Sequence, residues 1–426
     1  MSNTPFTNQL TDELNRLQGS SQFECQLSSE AMGRHEKLLL KNGISSDPFH
    51  RNPLELINTY SSCQNCHQAF QMDSYGKGCL HDCIYCFAKV DAEENGVWNS
   101  PTPLPLNFSD LWKVFFQVFE TDQKNPWRGI LEKRIPLRIG ANSDSFMAID
   151  RNFKVTREVL RLLNHYHYPY FVVTRGEAIA NDDYLGLLDP KLAAVHLSIP
   201  SLNSELTKLL EPAAPSPAAR LDSLKAINQA GIWSIVRINP LFPRFKDGHF
   251  SQRNGVDDKP LLDYFSFDLI DAVAEQGAKG ILAGFVSLKA HTVTALSEKL
   301  GTNLWDLIDP SNPYHGERFL FSKEEMRSYY DLSAKRAKKN NIEFTTCYLG
   351  TGEEQYFVNK DLWSNSKDCC NIRDRVPAHK SDSSEISFID KFSYNHSDAN
   401  FLVKYLTLFC YGLITIILKT LKKGKA

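Results

Sequence analysis

Three cysteines, Cys79, Cys83 and Cys86, fall within the stretch Gly78-Cys79-Leu80-His81-Asp82-Cys83-Ile84-Tyr85-Cys86-Phe87. Thiols at C-x3-C-x2-C spacing can fold around one face of a soft metal centre, because thiolates select zinc, copper(I) and iron–sulfur clusters over hard cations. Three ligands leave one corner of a [4Fe–4S] cube unclaimed, and an open coordination position marks a centre that does chemistry. The alternatives are a zinc knuckle, for which His81 offers a fourth ligand, and a disulfide loop. A second pair, Cys63 and Cys66, forms half a metal site whose partners must come from elsewhere in the chain.

Composition narrows the setting for such a centre. The chain has 426 residues, 42% of them apolar, enough for one large α/β domain with additions or for two domains. Lys plus Arg number 48 against 50 Asp plus Glu, a formal net charge of −2. No overall basic excess points to nucleic acid, although a local patch is compatible with that balance. Ten cysteines fit reduced thiols and metal ligation in the cytoplasm better than a disulfide framework. The stretch from Met1 to Gly19 is polar and does not read as a secretory leader.

The elements that must position the thiols come next. Asn8 to Asn42 reads as one or two helices, with apolar spacing at Leu10, Leu14 and Leu17 and again at Leu38, Leu39 and Leu40. Ala69 to Tyr75 is a first strand that delivers the cysteine loop at its carboxyl end. Short β-branched or apolar runs then alternate with helical patterns, as in repeated βα units around a parallel sheet. Strands are expected at Leu137–Gly140, Tyr170–Thr174, Ala193–Ile199, Trp233–Ile238 (stopped by Pro240), Gly280–Val286 and Ile342–Cys347. Helices are expected over Val155–Leu163, Arg220–Ala230 (closed by Gly231) and Leu269–Gln276. About six units imply an incomplete (βα) barrel with its site at the carboxyl ends of the strands. Polar residues stand there: Asn142-Ser143-Asp144, Thr174-Arg175-Gly176, Ser198 and Arg237-Ile238-Asn239. Some of these serve equally well as loop caps, Asn142, Ser143 and Asp144 as an Asx-type turn.

The cysteine spacing, with Tyr85 just before the last thiol, resembles the signature of the radical S-adenosylmethionine (AdoMet) superfamily. A closer resemblance, to its spore photoproduct lyase-like branch, covers roughly Ala69 to Pro243. It is carried by Gly78-Cys79-x-His81-x-Cys83-x-Tyr85-Cys86-Phe87-Ala88-Lys89, Asn142-Ser143-Asp144 with Thr156-Arg157-Glu158, Val173-Thr174-Arg175, Ser198-Ile199-Pro200-Ser201-Leu202 and Glu211-Pro212-x-Ala214-Pro215-Ser216-Pro217-x-x-Arg220-Leu221. The resemblance implies a partial (βα)6 TIM-like barrel of the radical AdoMet type, with amino- and carboxy-terminal helical and loop extensions. It implies a [4Fe–4S] cluster on Cys79, Cys83 and Cys86 and AdoMet at its open iron, cleaved reductively to a 5′-deoxyadenosyl radical that abstracts hydrogen from the substrate. Arg175 and Ser198 match positions that hold the cofactor's carboxylate, Ser143 a serine near its ribose, and Tyr85 an aromatic near its adenine. A guanidinium suits that task, because it grips a carboxylate bidentately. Reduced flavodoxin or ferredoxin serves relatives as electron donor.

The departures bear on the reaction. Photoproduct lyases carry a hydrogen-donating cysteine where this chain has Ala141, and a second tyrosine where it has Phe87. Neither a methyl group nor a phenyl ring has a labile hydrogen, so DNA photoproduct repair is disfavoured and the substrate, whether peptide, nucleic acid or small molecule, stays open. Three readings compete for Cys347, Cys369 and Cys370. Two of them join Cys63 and Cys66 in an auxiliary iron–sulfur or zinc site, or one replaces the hydrogen donor absent at Ala141, or all are ordinary buried thiols. A non-catalytic zinc or iron–sulfur scaffold is the competing class of function. Cys25 and Cys410 read as structural, as do His165 and His167; His249, His291 and His315 lie in or near later loops without a motif.

Residues 1–60 are expected to form an amino-terminal extension, 61–347 the barrel, 348–380 a cysteine-containing segment, and 381–400 a polar, serine-rich linker. Residues 401–426 form an apolar stretch with a basic end. Its length is at the lower limit for a membrane span, so docking on the barrel or peripheral membrane contact is the favoured expectation.

Overall fold

Eight strands of the computed structural model form one sheet whose spatial order is the order of the chain: β1 (Glu55–Leu56), β2 (Phe70–Met72), β3 (Leu137–Ile139), β4 (Tyr170–Thr174), β5 (Ala193–Ser198), β6 (Trp233–Leu241), β7 (Gly280–Phe285) and β8 (Glu343–Thr346). The structure describes residues 5–44, 49–51, 53–56, 70–98, 102–243, 264–301, 303–314, 318–347, 359–364 and 369–372. From β2 to β8 every pairing is parallel; β1 alone is antiparallel, on the outer edge of β2. Sequential parallel order requires a crossover between each pair of strands. Helices Phe108–Phe119, Val155–His165, Pro217–Gln229, Asp268–Glu275 and Lys323–Lys339 lie in those crossovers.

The strand sequences explain the layers. Tyr170-Phe171-Val172-Val173-Thr174 is aromatic and β-branched, the residue types that fit a pleated surface covered on both sides. Tyr170, Val172, Ala193 and Val195 enter the large core beneath the helices, together with Val159, Leu160 and Leu163 of the Val155–His165 helix. The alternate residues Phe171, Ala194, Ile235 and Leu282 meet Cys369, Cys370 and Ile372, so a carboxy-terminal segment packs onto the opposite, inner face. Thr345 Oγ1 donates to Cys369 O at 2.6 Å and Trp233 Nε1 to Asn371 O at 3.1 Å, which anchor it.

Most expected elements are present with shifted ends. The amino terminus takes the two-helix form, Pro5–Gln18 and Ser29–Lys41, and Leu10, Leu14 and Leu17 join the main core. The expected strand Ala69–Tyr75 breaks after Met72; Tyr75–Gly76 pairs instead with Leu104–Pro105, and Ala69 lies outside the described residues. Pro240 does not stop β6. The strand runs to Leu241 because a register shift between Ile238 and Leu241 absorbs the missing N–H. The Pro217–Gln229 helix starts earlier than its apolar pattern, on Ser216 as N-cap with Pro217 in the first turn, and Gly231 follows at φ +76°. His165 packs edge-on to Phe23, a structural position. No described helix is long and apolar enough to cross a membrane; the expected linker, the 401–426 stretch and Cys410 lie outside the described residues, as do His249 and His315.

Candidate active site

A cavity of about 440 Å³ opens at the carboxyl ends of the parallel strands. Its wall takes residues from the loops or ends of β2 through β8, and it holds Cys79, Cys83, Cys86, Tyr85, Ser143, Arg175 and Ser198 together. All seven candidate residues from the sequence therefore share one enclosure of a size that suits a small-molecule cofactor with its substrate.

The three-cysteine loop is fixed from below by the Glu211-Pro212-x-Ala214 run. Ile84 N donates to Leu210 O at 3.0 Å and Ala213 N to His81 O at 3.3 Å. Cys86 caps the helix Phe87–Glu94, its Sγ accepting from Lys89 N at 3.5 Å. Asp82 takes φ +50° and is held by Lys89 at 2.6 Å. Cys83 is buried and Cys79 half-buried, and burial pushes the Cys79 thiol up to about 12. Burial likewise carries Cys83 well above its ordinary value, against the pull of Arg175. Without a metal these two thiols keep their protons at neutral pH, and metal binding must displace them.

Glu211 organises the second shelf of the site. Its buried carboxylate pairs with Arg175 at 3.0 Å and with Arg220, and it accepts from the hydroxyls of Tyr85 and of Tyr264, the latter at 3.0 Å. Burial alone would raise this acid, but the two guanidiniums prevail and hold it at about 2. Arg175 in turn donates to Cys83 Sγ and to Tyr85 Oη, both at 2.9 Å. Tyr85 is thereby immobilised, with its ring edge-on to Phe242 at 5.7 Å. Ser198 ends β5, and Arg220 donates to its carbonyl at 3.2 Å.

Two aspartates bind the neighbouring loops to the cysteine loop. Asp73, just after β2, accepts from Ala141 N at 2.6 Å and Asn142 N at 3.0 Å. Ser143 Oγ then donates to Gly78 O at 2.9 Å, tying the β3 loop to the entry of the cysteine loop. Burial raises Asp73 to about 6 despite those amides. Asp144 accepts from Thr174 Oγ1 at 2.6 Å, Arg175 N at 2.8 Å and, in an Asx turn, Phe146 N at 2.9 Å. His81 Nε2 lies 3.2 Å from Asp144 Oδ2, close enough to pair though poorly aligned for a hydrogen bond. Against burial, the His81 ring, Thr174 and the Arg175 amide keep Asp144 well below the carboxylate range. Gly140, at φ +83°, lets the β3 loop reach β4: a Cβ there would stand 2.2 Å from Val173 O.

Three further thiols face the same cavity, Cys347, Cys369 and Cys370, with Cys369 Sγ 3.8 Å from Cys370 Sγ. Cys63 and Cys66 lie outside the described residues, and Cys25 is away from the cavity. Ala141 and Phe87 line the cavity, so no thiol or phenol stands at either position. Sequence patterns missed Glu211, Asp73 and Tyr264 as site residues. Glu211 sat in view inside an unusual motif; its acid between Leu210 and Pro212 was the available signal. Asp73 and Tyr264 carry no local pattern.

No protein-family profile matches the chain. It is 25% identical over 209 residues to an uncharacterised protein of Methanocaldococcus jannaschii, 48% of this chain and 72% of that protein. An uncharacterised protein of Mycobacterium tuberculosis is 24% identical over 224 residues, and the matched part spans 58% of its length and 51% of this chain. In structure the chain is similar to spore photoproduct lyase. A substituted form with bound AdoMet and dinucleoside spore photoproduct superposes with a TM-score of 0.50 at 14% identity, covering 81% of this chain and 97% of that one. A complex with dinucleoside spore photoproduct gives 0.50 at 13%, covering 80% and 95%. The mixed α/β fold, with its mostly parallel sheet, is thus similar to the fold of spore photoproduct lyase.

Proposed function

We propose that the chain is a radical AdoMet enzyme whose sheet is a partial (βα)6 barrel spanning residues 61–347, with Cys79, Cys83 and Cys86 holding a [4Fe–4S] cluster. The observation that carries this reading is the joint enclosure of the three loop thiols with Arg175, Ser198, Ser143 and Tyr85. The donor set fits the group: all three ligands are soft, and the loop bearing them is pinned at both faces. Among the described residues no trio of His, Cys, Asp or Glu is arranged around a single ion. A cubane asks for no such convergence, since each thiolate binds a different iron. When bound, the cluster supplies the electron that cleaves AdoMet to methionine and a 5′-deoxyadenosyl radical.

The chain's own residues bind, orient and exclude water. Arg175, steadied by Glu211, presents a guanidinium to the cofactor's carboxylate, with Ser198 beside it; Ser143 serves the ribose and Tyr85 the adenine side. Reduced flavodoxin or ferredoxin is the donor we propose. The absence of a thiol at Ala141 supports a reaction other than photoproduct repair. Anaerobic reduction of iron-loaded protein with dithionite and AdoMet is expected to yield 5′-deoxyadenosine; a brown, iron-loaded protein that yields none would leave a scaffold as the better reading.

A further inference from the structure

Arg237 rises from the inner face of β6 into the cavity and is 8% exposed. Its guanidinium donates to His196 Nδ1 at 3.4 Å and reaches Cys347 Sγ at 3.9 Å, both long contacts and neither to a carboxylate. No carboxylate among the described residues pairs with it, in contrast to Arg175 and Arg220, which share Glu211. Burial, followed by the charge of Arg237, depresses His196 far below its ordinary value, so that ring adds no charge of its own. Arg138 on β3 lines the same cavity and lies near enough to Arg237 for their charges to repel, while Cys370, Asp73 and Cys347 act on Arg138 in the opposite sense. A guanidinium is almost never buried without an anion, because its desolvation is then uncompensated.

We propose that the substrate carries an oxyanion, a carboxylate or a phosphate group, which docks on Arg237 with Arg138 beside it; this rests on the radical AdoMet reading for the word substrate, though not for the binding site. The cofactor's carboxylate has its own position at Arg175 and Ser198. Two adjoining guanidiniums offer the planar, multi-donor surface that grips such groups. Apolar and cationic substrates would leave the Arg237 guanidinium buried and unanswered, so they are excluded.

Calorimetric titration of the metal-free full chain with inorganic phosphate, and separately with succinate, at constant ionic strength tests this. At least one anion is expected to bind saturably, and the tighter of the two shows which oxyanion the site takes. Arg237→Met should weaken it about 10-fold or more, since a charged hydrogen bond is lost. Arg237→Lys should weaken it less, Arg138→Met should also weaken it, and Arg327→Met, which removes an exposed pair with Asp361, should leave it unchanged. If Arg237→Met fails to fold, Arg237→Lys and Arg138→Met carry the comparison. No saturable binding, or affinity unchanged in every Arg237 and Arg138 variant, overturns the proposal. Loss of binding in Arg175→Met alone also overturns it, by placing the anion at the cofactor position. Iron uptake and AdoMet cleavage are measured separately, so failure of the radical reading leaves this result interpretable.

Discussion

Replacing Glu211 by alanine is expected to destabilise the metal-free chain by about 3–5 kcal/mol, the range for breaking a buried ion pair from one side. Glu211 is wholly buried and stands between two guanidiniums, Arg175 and Arg220, the second of them only 1% exposed. Its removal leaves both charges without a counter-ion and strips an acceptor from the hydroxyls of Tyr85 and Tyr264. The neighbouring amide of Ala213 holds His81 O, so the disturbance passes directly into the cysteine loop. Glu211→Gln keeps the shape and some hydrogen bonds while losing the charge, and should fall between wild type and Glu211→Ala. Urea unfolding reads the difference; a loss under about 1 kcal/mol would mean the network is not the brace described here. The pH dependence has a definite sign. The folded acid titrates at about 2 against an ordinary 4.5, so its contribution is present above pH 4.5 and is lost as pH falls towards 2. Glu211→Gln should therefore lose less stability than wild type across that window.

The second large effect is expected from Cys83→Ala. Cys83 is the central thiol of the loop, 6% exposed, and accepts from Arg175. Reconstituted wild type should hold about four irons per chain, as one cubane requires. Removing one of three protein ligands should drop iron to a small fraction of that and deoxyadenosine formation to background. Cys25→Ala, which removes a thiol outside the cavity, is the matched control and should keep both. Equal iron in the Cys83→Ala and Cys25→Ala proteins would mean that the metal sits elsewhere, with Cys347, Cys369 and Cys370 the next thiols to replace.

How far the sequence reached depends on the range of the interactions involved. The parallel strands were legible because each is a short β-branched or apolar run, such as Tyr170–Thr174, bounded by polar loop residues. Element ends were less so: Pro240 reads as a terminator, yet a register shift lets β6 pass it. The cysteine loop and the strand-end residues Ser143, Arg175 and Ser198 were legible as motifs, and they do meet in one cavity. What joins them was not. Asp73 reaches the Ala141 amide across 68 positions and Glu211 reaches Tyr85 across 126, and no local pattern records such pairings. The Cys369-Cys370 pair drew attention by adjacency, but only the fold shows that it closes the inner face of the sheet against Phe171 and Ile235. Arg237 was noted as a polar strand end; that it lacks a carboxylate partner among the described residues emerges only from the packing.

The most direct measurement is electron paramagnetic resonance of the anaerobically reconstituted, reduced chain with and without AdoMet. A reduced iron–sulfur signal whose shape changes when AdoMet is added is the predicted result, since the cofactor would occupy the iron that the three cysteines leave open. A cluster signal indifferent to AdoMet, or no cluster signal at all, would contradict the assignment of Cys79, Cys83 and Cys86 to a catalytic centre.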